Sequence, residues 1–387
     1  MSSSSRLWKL ELLRGLAAVA VVVWHFALIF PDLGKSELRN AVASWGITSV
    51  FIFFVLSGAV ICLSTERGGF GVVSFLWRRA LRIVPLYLLA LLLTVAVDPA
   101  PFSASKVAGH CFFGATLPGW IVPTFEFNPV LWTLSYEMSF YFIFAIMRGP
   151  QKFGLLVGTL LALTAGASVF WPVSLPPWVE HVRSVFAFYG VWLIGYFAVK
   201  FRWRLPFSAA SALFTAGCIP MMARATVNGG YPDYGQAMLI GFVLAPLLAT
   251  WVPRGSELGN RQATWVWTAV IYLVCLILFL MLSRSRLHAS VLYALFPFVV
   301  LGAGLLWSKL RAPKQLVAFA GWLGLISYAL YLFHYPIFAV TRQLFGPENG
   351  LAALAALFLV FAVAYVAEAK LQPAIARAFK RSDTEGR

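Results

Sequence analysis

The amino-acid sequence predicts an all-α fold, a polytopic integral membrane helical bundle of about 10–12 transmembrane helices with cytoplasmic N- and C-termini. Composition supports the membrane class, because hydrophobic residues make up 61% of the 387-residue chain and charged residues only 11%. A soluble domain is closer to half apolar and a quarter charged. The mean hydropathy of +0.83 reflects apolar runs long enough to span a bilayer as helices, which takes about 20 residues.

Twelve apolar segments are candidate membrane helices. They lie near residues 12–30, 47–64, 78–97, 130–147, 153–171, 184–199, 207–223, 236–252, 264–282, 289–307, 318–341 and 352–371. The first lacks a small-residue cleavage site after its apolar run, so we do not interpret it as a removable signal peptide. The longest connections on the predicted outer side are residues 98–129, which are rich in proline, and residues 172–183.

Basic residues predict the orientation of the bundle. With the N-terminus in the cytoplasm, 22 of the 30 Lys and Arg residues fall on the cytoplasmic side and 8 outside, as the positive-inside rule requires. The chain then divides into a cytoplasmic segment (residues 1–9), a transmembrane domain (residues 10–372) and a short basic cytoplasmic tail (residues 373–387). We expect no regular structure in that tail.

Charge and cysteine content narrow the function classes. A net charge of +16 in a soluble protein indicates a nucleic-acid partner, but here the basic residues separate apolar segments, so membrane orientation explains them and no nucleic-acid partner is expected. The four cysteines have neither disulfide-framework nor metal-ligand spacing, and the sequence predicts no metal site.

The first helix carries two ionisable residues at different depths. Arg14 lies near its start and His25 eleven residues further on, roughly 16 Å along a helix. Arg14 is then at the cytoplasmic face, either as a snorkelling anchor or as a ligand-binding group. An imidazole as deep as His25 indicates function, the alternative being a neutral histidine bonded to a neighbouring helix.

Arg79 and Arg82 lie three residues apart, on one face of the third helix at its cytoplasmic end. Such a pair is either a charge cluster that fixes orientation or a clamp for phosphate groups, which guanidinium groups bind with paired donors. Together with Arg14, the two residues predict a basic mouth at the cytoplasmic side.

Glu137 and His334 are the remaining buried ionisable residues that stand out. Glu137 enters the fourth helix from outside and lies about 10 Å below that face, where a carboxylate must be paired, protonated or facing water. His334 lies toward the outer end of the eleventh helix. Because His25 has a similar depth, we expect these three residues to share one cavity in the outer half of the membrane.

Five segments of the chain together resemble one known family. LRGLAAVAVVVWH, FFVLSG, RRALRIVPLY, LWTLSYE and LGLISYALYLFH, in this order, are similar to motifs of the membrane-bound acyltransferase family 3, from about Leu10 to Gln372. Members of that family transfer acyl groups, often acetyl from acetyl-CoA, to hydroxyls of surface polysaccharides, lipid-linked sugars and similar acceptors. The resemblance therefore implies an O-acyltransferase of the cell membrane, the inner one in a bacterium, with acyl-CoA as a donor substrate and no permanently bound cofactor.

The resemblance also implies functions for the matching residues Arg14, His25, Arg79, Arg82, Trp132, Ser135 and Glu137. The arginines would hold the phosphates of the donor, and Trp132 and Ser135, with Tyr328 of the last motif, would contact substrate. The family core is usually counted as ten helices, so two of the predicted twelve would be additional. The expected partners are acyl-CoA, a carbohydrate or glycolipid acceptor and the lipid bilayer.

The expected chemistry is deprotonation of an acceptor hydroxyl and stabilisation of a tetrahedral oxyanion. His25 is the predicted general base, because the ordinary pKa of histidine is close to neutral pH. Glu137 could orient or stabilise the imidazole, and His334 competes for either role. Ser135, Tyr328 and backbone amides are all candidate oxyanion donors, and a covalent acyl-histidine stays open as an alternative to direct transfer.

Two other functions are compatible with the same residues. An exporter of a glycolipid or lipid-linked sugar would explain twelve helices, a basic inner mouth and buried ionisable groups, but it predicts paired repeats with broken helices. A scaffold or lipid-binding membrane protein without turnover would leave His25, Glu137 and His334 without a purpose. The assay that separates the three is incubation of the protein with labelled acyl-CoA and candidate acceptors.

Overall fold

The computed structural model describes most of the chain and shows an almost entirely helical protein. The described residues are 7–31, 36–66, 70–117, 119, 121–148, 153–171, 174–202, 204–225, 232–252, 261–282, 287–308 and 313–385. Most of the predicted N-terminal segment 1–9 and the last two residues of the tail lie outside these ranges. Within them, extended structure is confined to an isolated bridge between Ala115 and Val122.

The helices follow one another along the chain with short connections. They are α1 (Trp8–Ile29), α2 (Ser36–Glu66), α3 (Val72–Val97), α4 (Ala104–Cys111), α5 (Trp132–Arg148), α6 (Gly154–Ser168), α7 (Pro177–Lys200), α8 (Ala209–Ala216), α9 (Ile219–Met222), α10 (Tyr234–Trp251), α11 (Arg261–Leu282), α12 (Leu287–Ser308), α13 (Lys314–Phe345), α14 (Gly350–Val366) and α15 (Gln372–Glu385). A 3₁₀ turn, Pro129–Leu131, precedes α5, and a π-helical turn, Ala367–Leu371, joins α14 to α15.

The predicted all-α, multi-pass membrane class is confirmed. In the part of the chain that the structure describes, nine helices are long and apolar enough to cross a membrane, and three shorter apolar stretches lie at 154–168, 209–222 and 291–305. Each of the twelve predicted segments falls on one of these helices or stretches. Hydropathy alone therefore located the apolar helices, nine of which, among the described residues, are long enough to span a membrane.

Several boundaries differ from the prediction, and α2 begins at Ser36 rather than near residue 47. Helix α3 begins at Val72, before the arginine cluster, and α7 begins at Pro177, where proline suits the first helical turn. The tail, expected to lack regular structure, forms α15 instead. The ring of Phe379 on α15 lies 5.9 Å from that of Trp77 on α3, so an apolar contact that composition did not reveal holds this helix against the bundle.

Helices α1 and α13 pack closely and run parallel. A side chain at Gly15 would collide with Leu323, and a side chain at Gly324 would collide with Glu11, so both glycines permit a near approach of the two helices. The Arg14 guanidinium donates to the backbone oxygen of Gly324. This contact lies near the N-terminal end of α1. It sets which residues of α1 and α13 lie opposite each other further along the two helices.

Helices α2 and α7 approach just as closely at a second glycine contact. A Cβ atom on Gly58 would lie 2.0 Å from the backbone oxygen of Trp192, and one on Gly195 would lie 1.8 Å from that of Val55. A small residue such as Gly58 permits this close approach of the two helices. This packing directs Ser57 toward α5, where it takes part in the site described below.

Two membrane helices contain a proline whose missing N–H is replaced from elsewhere. Pro85 in α3 leaves the carbonyl of Leu81 without its helical donor, four residues earlier, and Gln372 Nε2 donates to that oxygen at 2.6 Å. Pro336 in α13 frees the carbonyl of Leu332 in the same way, and Asn128 Nδ2 donates to it at 3.2 Å. Each side-chain amide thus satisfies a carbonyl that lipid cannot hydrate.

Candidate functional site

Two histidines from the parallel helices α1 and α13 form a hydrogen-bonded pair inside the bundle. Nδ1 of His25 lies 2.9 Å from Nε2 of His334, and both side chains are buried. The other ring nitrogen of His334, Nδ1, lies 2.9 Å from the backbone oxygen of Leu330. The sequence predicted that these two histidines meet, and the structure places them in direct contact.

The Leu330 carbonyl determines where the protons of this pair reside, because a carbonyl oxygen only accepts hydrogen bonds. Nδ1 of His334 therefore carries a proton, and Nε2 of the neutral ring is an acceptor. Nδ1 of His25 is then the donor in the 2.9 Å contact, which leaves the lone pair on Nε2 of His25. A base oriented by a second group in this way has the arrangement of a catalytic dyad.

Aromatic rings surround the histidine pair. The ring centroid of His25 lies 4.3 Å from Trp24 and 5.0 Å from Tyr335, and that of His334 lies 6.1 Å from Phe338 and 6.0 Å from Tyr331. Such a shell excludes water and strengthens the electrostatic interactions of the groups inside it. The pair is therefore set in a low-dielectric pocket.

A cavity of about 150 Å³ lies among α1, α2, α3, α5 and α13. Its polar lining residues are Arg14, Ser57, Arg79, Arg82, Thr133, Glu137, Tyr141, Ser327, Tyr328 and Tyr331. All three predicted donor-site arginines thus face one space, although they come from two helices that are far apart in the sequence. Neither His25 nor His334 is among the described residues that line it.

The three arginines differ in how their charges are compensated. Arg14 forms an ion pair with Glu11 one turn earlier on α1, and Arg82 forms one with Glu368 from the π-helical turn. Among the described residues, no carboxylate lies within ion-pair distance of Arg79, whose guanidinium lies 5.9 Å from the ring of Phe75. Arg79 is therefore the arginine of this cavity with the most capacity to bind an anion.

Glu137 lies with the arginines rather than with the histidines, which corrects the predicted grouping. Its Oε1 accepts hydrogen bonds from Ser57 Oγ at 3.0 Å and from the Tyr141 hydroxyl. Trp192 Nε1 in turn donates to Ser57 Oγ at 3.2 Å. The direction in which Glu137 points depends on the rotation of α5 about its axis, and the side chain points into the cavity. The predicted role of orienting the His25 imidazole belongs by geometry to His334.

A layer of side chains separates the cavity from the histidine pair. Tyr331 and Phe53 line the cavity with ring centroids 5.9 Å apart, and Tyr331 also faces His334. The Tyr331 hydroxyl accepts a hydrogen bond from Thr133 Oγ1 at 2.9 Å and donates to the backbone oxygen of Val130. The arginine-lined cavity and the pocket of the histidine pair are thus neighbours, and Tyr331 forms part of the layer between them.

The three residues predicted to contact substrate have different positions. Tyr328 lines the cavity, but its hydroxyl donates to the backbone oxygen of Ile83 at 2.8 Å, so this proton is already engaged. Trp132 is buried against Phe54, with ring centroids 6.4 Å apart, and Ser135 is buried without a hydrogen-bond partner in the described residues. Neither lines the cavity, and their contact with substrate stays a prediction.

Sequence reasoning missed several participants. Ser57, Tyr141 and Glu368 are not among the predicted site residues. A signal for Tyr141 was present, because it lies four residues after Glu137 and therefore on the same helix face. The pairing of Glu368 with Arg82 spans 286 residues and has no local signature.

The predicted outer connection contains a third buried histidine. His110 on α4 is fully buried, and its Nε2 donates to the backbone oxygen of Pro123 at 3.1 Å. Burial lowers the pKa of His110 to about 4, so the ring is neutral at pH 7. The backbone oxygen of His110 accepts from the Tyr87 hydroxyl at 2.9 Å, which fastens this connection to α3.

Comparison with known proteins gives one family and two relatives. The family model described as an acyltransferase domain matches residues 7–369. The exopolysaccharide production protein ExoZ of Rhizobium meliloti (strain 1021) is 33% identical over 183 residues, which cover 44% of this chain and 56% of that protein. The acyltransferase MdmB of Streptomyces mycarofaciens is 30% identical over 151 residues, which cover 36% of this chain and 39% of that protein.

These matches cover the relatives only in part, because the chain spans about half of the length of the first and less of the second. No solved structure matches the chain significantly.

Proposed function

The chain belongs to the acyltransferase-domain family, and on that premise we propose that it is a membrane O-acyltransferase with acyl-CoA as its donor. The acyl group, for which acetyl is the expected case, passes from the cytoplasmic donor to a hydroxyl of an extracytoplasmic carbohydrate or glycolipid. The observation that carries this proposal is the histidine pair, which leaves a lone pair on Nε2 of a buried His25.

His25 acts as the general base in this reaction. Its Nε2 takes the proton of the acceptor hydroxyl while that oxygen attacks the thioester carbonyl carbon, which forms a tetrahedral oxyanion. Collapse of the oxyanion re-forms the carbonyl and expels the CoA thiolate, and the imidazolium returns its proton to that sulfur. General base catalysis of this kind contributes about 10²- to 10⁴-fold to a rate.

His334 stabilises the charged form of the base. When His25 is protonated at Nε2, its Nδ1–H donates to Nε2 of His334, and the Leu330 carbonyl accepts from the far side of His334. The positive charge is thereby shared along a chain of hydrogen bonds in a dry pocket, where such bonds reinforce one another. The same lone pair on His25 would be the nucleophile in the alternative mechanism through an acyl-histidine.

The arginine-lined cavity holds the donor. Guanidinium groups suit phosphates because they offer paired donors in a fixed geometry, and Arg79 has the least compensated charge of the three. A volume of about 150 Å³ accommodates a small part of such a molecule, so the nucleotide must lie at the mouth with its flexible arm directed inward. From Arg14 to His25 the distance along α1 is roughly 16 Å, and the thioester arm bridges it past Tyr331.

Two observations support a carbohydrate acceptor on the outer side. One relative carries a name that refers to exopolysaccharide production, and the other is named an acyltransferase. In the predicted topology the histidine pair lies closer to the outer face than the arginines do. The exporter and scaffold alternatives gain nothing from the family match. The proposed location is accordingly the cell membrane, the inner membrane in a bacterium.

The test is a transfer assay with purified protein, acyl-CoA labelled in the acyl group, and acceptors that include polysaccharide fragments and lipid-linked sugars. We expect labelled ester product with at least one carbohydrate acceptor and none with the His25→Ala variant. Export of unmodified glycolipid without any transfer of label would contradict the proposal.

A further inference from the structure

The segment that follows α14 holds Arg82 by its side chain and by its backbone. Oε2 of Glu368, in the π-helical turn, accepts from the Arg82 guanidinium. Gln372 Nε2, at the start of α15, donates to the backbone oxygen of Leu81 at 2.6 Å and lies 3.5 Å from that of Arg82. Residues 368–372 therefore contact Arg82 at two points, its guanidinium and the backbone beside it.

The backbone contact has a specific physical cause. Pro85 has no N–H, so the Leu81 carbonyl one turn earlier lacks its helical hydrogen bond. The Gln372 amide supplies a donor to that oxygen in its place. The Gln372 amide therefore ties the backbone of α3 next to Arg82 to the start of α15.

The side-chain contact is equally constrained. The Glu368 side chain is only 1% exposed, and a carboxylate at such a position requires a cationic partner. Of the described residues, Arg82 is the cation within ion-pair distance of it. The π-helical turn inserts an extra residue per turn at Ala367–Leu371, and such turns are frequent at functional sites.

Arg82 in turn reaches the cavity from this anchored position. Its side chain is 36% exposed, its guanidinium lies 5.4 Å from the Tyr328 ring, and it is among the lining residues. One terminal nitrogen is engaged by Glu368, and an arginine has five N–H donors in all. Donors therefore remain to bind an anion, in an orientation that Glu368 fixes.

We propose that Glu368 and Gln372 are positioning residues of the donor site, which set the place and orientation of Arg82 for the phosphates of the donor. The inference rests on the proposed function, because it presumes that the arginines bind the donor. Glu368 and Gln372 would then affect donor affinity, although neither of them is among the residues that line the cavity.

The chain offers a matched control. Pro336 frees the backbone carbonyl of Leu332, and the Asn128 amide donates a hydrogen bond to it. This is the same kind of contact as that of the Gln372 amide with the Leu81 carbonyl. That carbonyl lies two residues before His334, so the Asn128 contact positions the histidine end of the site. Loss of either amide leaves a proline-freed carbonyl without its donor, at the arginines for Gln372 and at the histidines for Asn128. Asn128 Nδ2 also donates to Thr94 Oγ1 at 2.9 Å, so its loss removes that bond as well.

The experiment measures the donor KM, the acceptor KM and kcat of the full-length protein in detergent or vesicles. Gln372→Met keeps the length of the side chain and removes the amide, Glu368→Ala removes the carboxylate, and Asn128→Leu is the control. We expect the donor KM to rise about fivefold or more in the first two, which corresponds to one lost hydrogen bond of about 1 kcal/mol, with kcat within about twofold. Asn128→Leu should instead lower kcat and leave the donor KM unchanged.

Two further variants separate positioning from general damage. Glu368→Gln keeps an oxygen that accepts from Arg82, so it should recover most of the donor affinity that Glu368→Ala loses. If Gln372→Met does not fold, the double variant Pro85→Ala/Gln372→Met is used instead, because its alanine restores a helical N–H to the Leu81 carbonyl. This variant still lacks the Gln372 contact with the backbone next to Arg82, so its donor KM should be raised.

The outcomes distinguish this inference from the proposed function. A wild-type protein that transfers no acyl group from acyl-CoA refutes the proposed function itself. An active wild type with unchanged donor KM in folded Glu368→Ala and Gln372→Met variants overturns the inference alone. A fall in kcat at constant donor KM in these two variants, or a Glu368→Gln variant as impaired as Glu368→Ala, overturns it as well.

Discussion

His25 and His334 are joined by a hydrogen bond of 2.9 Å between Nδ1 of the first and Nε2 of the second. Because the Leu330 carbonyl fixes the proton on the other nitrogen of His334, this bond runs from His25 to His334. The two rings are consequently not equivalent, because the lone pair is left on Nε2 of His25 while Nε2 of His334 accepts the bond. In the proposed mechanism His25 is the base and His334 orients it.

Replacement of His25 should cost more activity than replacement of His334. We expect His25→Ala to lower kcat by about 10³-fold or more, since it removes the base, and His334→Ala by about 10- to 100-fold, since an unoriented base remains. Single-turnover transfer from labelled acyl-CoA measures both, with membrane abundance and thermal unfolding of each variant as the control for folding. Near-normal turnover of a well-folded His25→Ala variant would exclude it as the base.

Lysine substitutions should rank the three arginines. Lysine keeps the charge but loses paired hydrogen bonding, so direct binding of the donor should weaken in Arg14→Lys, Arg79→Lys and Arg82→Lys. The loss should be largest for Arg79→Lys, because the other two share their charge with Glu11 and Glu368. Donor affinities equal to that of the wild type in all three would show that these residues only anchor the protein in the membrane.

Glu137→Gln tests whether this carboxylate serves the donor or the base. Its hydrogen bonds to Ser57 and Tyr141 place it among the arginines, where a negative charge opposes phosphate binding. We expect the neutral variant to bind the donor at least as tightly as the wild type and to keep the pH profile of kcat. A fall in kcat comparable with that of His25→Ala would instead show that Glu137 acts on the base.

Sidedness can be measured in sealed vesicles of known orientation. Acyl-CoA is supplied on the predicted cytoplasmic side, and a membrane-impermeant acceptor on one side only. We expect product when the acceptor is on the opposite side from the donor, because the histidine pair is further from the arginine mouth. Product that forms only when both substrates share a compartment would favour acylation in the cytoplasm followed by transport of the product.

Acid should loosen the outer connection through His110. Its pKa in the folded protein is about 4 and the ordinary value is 6.5, so the folded state resists a proton that the unfolded state accepts. The stabilisation is complete above about pH 6.5 and is lost as the pH falls toward 4. Limited proteolysis within residues 98–117 should accelerate at pH 5 relative to pH 7, and less so in His110→Gln. Equal pH dependence in both proteins would exclude His110 as the cause.

The sequence by itself determined the membrane class, the helical segments and the arginines and histidines from which the candidate site is built. Hydropathy suffices for the helices, because a lipid environment forces each backbone segment to satisfy its own hydrogen bonds. Depth along a helix also follows from the count of residues, and it placed Arg14 and His25 at different levels before any packing was known. His25 and His334 were matched in depth, and they do meet.

Only the tertiary structure decided which of these residues face one another. Glu137 was expected beside the histidines, yet it pairs with Ser57 and Tyr141, because the rotation of a helix about its axis is set by packing against its neighbours. The contacts of Arg82 with Glu368 and Gln372 join residues almost three hundred positions apart, and they depend on a proline-freed carbonyl and a π-helical turn. The sequence specifies which groups are costly to bury, and the fold alone determines which partners offset that cost.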